Sequence, residues 1–175
     1  MMRHILLTFG ISLLLGAMAL PTQAQVVNGH VTFLGIPLNE TPQGMRDKLM
    51  AKGMKKAVGM ETDTGNIYLT GTVNGVPSTV HIVVGVGNKI YHINCIEKKD
   101  YRLPQAKARA KALLTQLEAI YGKAKSTNFS DDVMGEATIN VANGSVLVGY
   151  SNQDEMDGAS DFYYVSSTYN DQRDN

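Results

Sequence analysis

Little in this sequence lends itself to disulfide stapling, nucleic-acid binding or a familiar catalytic motif. The single cysteine, Cys95, has no partner within the chain, so stability has to come from packing. Net charge is zero, with 16 Lys and Arg against 16 Asp and Glu, whereas a nucleic-acid binder is usually strongly basic. No Gly-x-Ser-x-Gly, His-Glu-x-x-His or phosphate-loop pattern occurs. Gly85-Val86-Gly87-Asn88-Lys89-Ile90 begins like a dinucleotide fingerprint, but it lacks the third glycine and leads into a strand-like stretch, so it reads as a hairpin turn. Long apolar runs are missing as well, with one exception at the N-terminus.

That exception has the build of a cleavable signal peptide. Arg3 and His4 give a short basic start, Ile5 to Leu20 is apolar apart from Thr8, Ser12 and two glycines, and Pro21 breaks the run. Thr22-Gln23-Ala24 then places small residues three before and one before the next bond, which predicts cleavage after Ala24. The run is about 16 residues, short of the roughly 20 a membrane span needs. A lipoprotein needs a cysteine at the cleavage site, and Cys95 is far from it. The expectation is a signal peptide over 1–24 and a single exported domain over 25–175, with no membrane span after cleavage, periplasmic or secreted.

In the folded part the hydrophobic period changes several times. Val31 to Ile36 reads as an opening strand. Thr41 as N-cap with Pro42 at the first helical position starts a short helix that Gly53 closes. From Asn66 the pattern alternates, with Asn74-Gly75 as a hairpin signal and a second tight turn at Gly87-Asn88, giving a three-strand meander to Glu97. Leu103, Ala106, Ala110, Leu113, Leu117 and Ile120 then recur at three- and four-residue spacing, predicting a helix from Leu103 or Pro104 to Tyr121. Ala137–Ala142, an Asn143-Gly144 turn, Ser145–Tyr150 and Phe162–Tyr169 complete three more strands.

The order of one helix and three strands therefore occurs twice, about 26–100 and 101–175, and both first hairpins carry Asn-Gly. The fold class expected is α+β: an antiparallel sheet from two helix-strand-strand-strand repeats, with both helices on one face. Charge is uneven along it. Residues 26–125 hold 14 Lys and Arg against 7 Asp and Glu, and residues 126–175 hold 1 against 9. Either the acidic part lies against the basic helix region or the two ends face different partners.

Several short pieces, Phe33-Leu34-Gly35-Ile36-Pro37, Lys52-Gly53-Met54, Leu69-Thr70-Gly71-Thr72-Val73, Ile120-Tyr121-Gly122-Lys123 and Ser167-Thr168-Tyr169-Asn170-Asp171, together span nearly the whole mature chain. On these the sequence resembles a family of small uncharacterised exported bacterial proteins. The repeated helix-plus-strands plan is similar to β-lactamase-inhibitor-protein-like folds, and that similarity implies an open sheet face presented to other proteins.

Two-residue turns set the register of the first meander. Val73 should pair with Val76, Thr70 with Thr79, Tyr68 with His81, Val84 with Tyr91, Val83 with His92 and His81 with Asn94. Ile67, Leu69, Val73, Val76, Val80, Ile82, Val84, Tyr91, Ile93 and Cys95 then go to the helix side. Tyr68, Thr70, Thr79, His81, His92 and Asn94 gather on the other, where neighbours about 4.5–5.5 Å apart at Cβ touch. This set is the candidate ligand-binding surface, read against the alternative of an ordinary solvated face.

No catalytic residue, metal centre or cofactor is expected. His81 and His92 have no third ligand at a fixed offset, and Asn152–Gly158 misses the spacing of a calcium loop. Cys95 reads as a buried small residue, and Lys98, Lys99, Arg102, Lys107, Arg109 and Lys111 as largely the wet side of a helix. The function expected is a non-enzymatic binding or interaction module for a cell-envelope or extracellular protein. The alternative is an enzyme acting on an envelope or other polymer, with a site assembled by the fold.

Overall fold

Both helices begin and end at the residues that cap them. In the computed structural model, described for residues 29–60, 65–153 and 161–172, helix α1 spans Pro42–Ala51, and Thr41 Oγ1 accepts the Gly44 N–H at 3.0 Å. Gly53, at φ 95°, follows it. Helix α2 spans Leu103–Tyr121, and Gly122, at φ 99°, donates its N–H to the Glu118 carbonyl at 3.0 Å. Pro42, Met45 and Leu49 of α1 and Ala106, Ala110, Leu113, Leu114 and Leu117 of α2 are buried. The expected signal segment and most of the acidic loop lie outside the described residues.

Val31 to Ile36 does not run on as one strand. It folds back at Leu34 and Gly35, both at positive φ, so that β1 (Thr32–Phe33) pairs with β2 (Ile36–Pro37) as a small hairpin. The remaining strands form one antiparallel sheet: β3 (Lys55–Lys56), β4 (Ile67–Val73), β5 (Val76–Val84), β6 (Ile90–Glu97), β7 (Ser126–Asn128), β8 (Met134–Val141), β9 (Gly144–Asn152) and β10 (Tyr163–Asp171). Their order is β3-β4-β5-β6-β10-β9-β8-β7. The fold is thus α+β, with two helices and an eight-stranded antiparallel sheet among the described residues. Edge strands β3 and β7 go beyond the six strands that alternation predicts, because two or three residues are too few to show a period.

Two of the three turn expectations need correction. Asn74 and Gly75, at φ 50° and 78°, make the expected hairpin turn, with Val73 opposite Val76. After β5, however, a 3₁₀ turn over Val86–Asn88 and a bulge between Val83 and Val84 bring Val84 opposite Ile90, not Tyr91. The extra residue reverses parity at that end, so Ile90 is buried and Tyr91, expected on the helix side, is 53% exposed. In the third hairpin Val141 pairs with Gly144, so Ala142 and Asn143 make the turn. Gly144 is needed for a different reason: a Cβ there would lie 2.1 Å from the Asn170 carbonyl oxygen. The two Asn-Gly pairs are therefore not equivalent.

One sheet face carries the core. Across the sheet run the rows Ile82-Ile93-Tyr169-Val146-Ile139 and Leu69-Val80-Cys95-Ser167-Val148-Ala137. Their buried hydrophobic members form a single cluster with those of both helices and with Val31, Phe33, Ile36 and Leu38. Full burial of an aliphatic side chain contributes about 1.5–3 kcal/mol, so these rows hold the helices to the sheet.

A charge pair lies within this layer. Glu97 points inward from β6, and Arg109 of α2 grips it through Nε at 2.9 and 3.1 Å and Nη2 at 2.6 Å. The Tyr101 hydroxyl donates to Glu97 Oε2 at 2.5 Å. The side chains are only 5% and 17% exposed, so Arg109 is not on the wet side of its helix as its spacing suggests. Elsewhere Lys107 meets Asp132 at 2.8 Å and Arg102 meets Asp161 at 2.6 Å, which brings the basic helix against the acid-rich part of the chain. No helix among the described residues is long and apolar enough to cross a membrane.

Candidate functional site

The side chains of a strand alternate, so the sheet face opposite the core is made by the other half of each strand. Its central row is Tyr68-His81-Asn94-Thr168-Leu147-Thr138. The next row is Thr70-Thr79-Ile96-Ser166-Gly149-Glu136, and beyond the central row on the other side lie Val83, His92, Asn170 and Ser145. Tyr68, Thr70, Thr79, His81, His92 and Asn94 are all half-buried on this face, in the pairings that the sequence predicts for them.

Within the set, the Tyr68 ring stacks on the His81 imidazole, with centroids 4.1 Å apart and planes 14° from parallel. Thr168 Oγ1 donates to Asn94 Oδ1 at 3.3 Å, tying the predicted residues to β10. His92 lies diagonal to His81 and meets Tyr91 edge-on at 5.1 Å. His81 Nε2 is buried without a hydrogen-bond partner among the described residues. Burial lowers the pKa of both imidazoles, and for His81 the nearby His92 lowers it further, so the neutral forms dominate at neutral pH. Among the described residues no carboxylate, thiol or further imidazole joins them as a metal-binding group.

Sequence reasoning missed half of this face. Ile96, Leu147, Ser166, Thr168 and Asn170 extend it, because β10 lies beside β6. Alternation along Tyr163–Asp171 could have identified the outward side chains of β10, but not which strand they would stand beside. The composition of the face was also readable only after assembly. Between Lys55 on β3 and Glu136 on β8, the outward residues of β4, β5, β6, β10 and β9 include no Asp, Glu, Lys or Arg. Toward β7 the face sinks into a groove of about 530 Å³ lined by Asn128, Met134, Tyr164 and Ser166, among others. Gly149, in its lining, cannot carry a side chain without a backbone shift, since a Cβ there would lie 2.7 Å from the Gly135 carbonyl oxygen.

No known family, curated protein or solved structure matches the chain. The site is accordingly read from its geometry alone. Hydroxyl, amide, imidazole and aromatic groups can form hydrogen bonds and stacks on this face without stripping water from a formal charge, the costliest step in docking. Nucleophilic chemistry at the cysteine is disfavoured by comparison. Cys95 is 3% exposed on the core side, and burial pushes its thiol up to about 12 despite hydrogen bonds with Ser78 and Ser167.

Proposed function

We propose that the chain is an exported, non-enzymatic interaction module that docks a cell-envelope or extracellular protein on its open sheet face, centred on Tyr68, Thr70, Thr79, His81, His92 and Asn94. The observation that carries this reading is the absence of charge across five adjacent strands. Interface cores are depleted in charged residues and enriched in aromatics, whereas an ordinary solvated sheet face carries lysine and glutamate. The Tyr68-His81 stack supplies a rigid anchor, and the threonines and Asn94 supply adaptable hydrogen bonds around it.

Export rests on the apolar N-terminal run and its Thr22-Gln23-Ala24 exit. We also infer that the sheet arose by duplication of a helix-plus-strands unit. Its support is the mirrored strand order, in which each half runs outward from the β6–β10 junction.

Crosslinked capture from envelope extracts tests the surface. Thr79→Arg, which puts a charge in the middle of the face, and a Tyr68→Ala/His81→Ala double variant should each reduce partner recovery tenfold or more. Thr115→Arg, exposed on α2, should leave it unchanged. Undiminished recovery of every partner by both face variants would sink the reading.

A further inference from the structure

A second surface lies at the β3 edge and borders the charge-free face, since Lys55 stands opposite Thr70 and Tyr68 lines the cleft beside Lys56. Exposed apolar side chains usually stand alone, and a group of them beside one sign of charge is informative. Val58 is 100% exposed, Met60 46% and Met50 40%. Ala57 ends the pairing of β3 by donating its N–H to the Tyr68 carbonyl, so Val58 stands just beyond the sheet edge. Met60 shares a cleft of about 110 Å³ with Lys56 and Arg46, and Arg46 lies one helical turn before Met50 on α1.

Cations outnumber acids around this group among the described residues. Lys52 caps the end of α1, and Lys55 and Lys56 form β3, all exposed and none in an ion pair with another described residue. Arg46 and Lys48 add to them, although each has an acidic partner. The other exposed apolar positions have fewer cations free of an acidic partner beside them. Val133 and Met134 follow Asp131 and Asp132, Phe162 lies against Arg102, which pairs with Asp161, and Val86 and Tyr91 have only Lys89 close by in sequence.

We propose that the loop tip Val58–Met60, with Met50 and the β3 lysines, docks on an anionic phospholipid bilayer. The apolar tip enters the headgroup region, and Lys52, Lys55 and Lys56 meet lipid phosphates. Glu61 and Asp63, next in the sequence, carry the opposite charge, so binding rests on the apolar side chains and the lysines together.

Vesicle co-sedimentation tests this with the chain from Gln25 onward, which contains every described element. Vesicles of equal phosphatidylglycerol and phosphatidylethanolamine should bind it, more weakly as salt rises, and vesicles of phosphatidylcholine alone should not. Val58→Asp and a Lys55→Glu/Lys56→Glu double variant should each weaken binding about tenfold. Val133→Asp, also exposed but beside β8 toward the opposite edge of the sheet, should bind as the parent does. Failure to bind anionic vesicles overturns the proposal, as does binding that Val58→Asp leaves intact or that Val133→Asp reduces equally. Binding to phosphatidylcholine as strong as to the anionic vesicles also overturns it.

Discussion

The two faces of the eight-stranded sheet reverse the usual placement of charge. On the covered face Glu97 is held between Arg109 and Tyr101, with a two-pronged guanidinium contact and a hydroxyl donor filling its oxygens. On the opposite face, which no described element covers, five strands in succession carry no charged residue. A buried charge is tolerated where hydrogen bonds replace its water, and Glu97 has them. An outward face stripped of charge gains nothing in solvation, so its composition points to something other than folding.

Neighbours on one strand offer the sharpest way to break this contrast. Val80 and Thr79 are adjacent on β5 but face opposite sides. Val80→Arg puts an unpaired charge into the core and should lower unfolding free energy by at least about 4 kcal/mol, enough to unfold a marginal domain. Thr79→Arg should change it by less than about 1 kcal/mol. Urea denaturation followed by circular dichroism separates the two, and similar losses for both would erase the distinction between the faces.

A smaller effect is expected at the interior pair. Arg109→Leu leaves Glu97 buried without its cation and should cost about 3–5 kcal/mol. Adding Glu97→Gln should restore part of that loss, because the group left behind is then neutral. The smallest effect concerns the imidazoles of the open face. His81 and His92 have folded pKa values lowered by burial, so the unfolded chain takes up protons first as pH falls. Their contribution is complete above the unfolded value near 6.5 and is lost as pH drops through the folded values. Denaturation midpoints at pH 7.5 and pH 5 should therefore differ less in a His81→Gln/His92→Gln variant than in the parent.

Much of the local structure was legible because it depends on near neighbours. Thr41 and Pro42 start one helix, Gly53 and Gly122 follow the ends of both, and Asn74-Gly75 sets β4 against β5 closely enough to place Tyr68 opposite His81. The register of β6 was legible up to Val83 and His92. Beyond that the bulge reversed the parity and put Tyr91 outside. The Asn143-Gly144 turn was misread for a related reason: Gly144 answers to the Asn170 backbone on a neighbouring strand, which no local pattern reveals.

The sequence by itself determined the caps, the apolar stripe of α2, the alternation of the main strands and the side chains that share a face in the first meander. These follow from backbone preferences and from periods of two and 3.6 residues. Only the tertiary structure decided that β10 lies against β6, that Arg109 turns inward to Glu97, and that the uncovered face crosses five strands without a charge. Those outcomes depend on pairings between residues far apart in the chain, where loop closure and packing of the whole core select the partner.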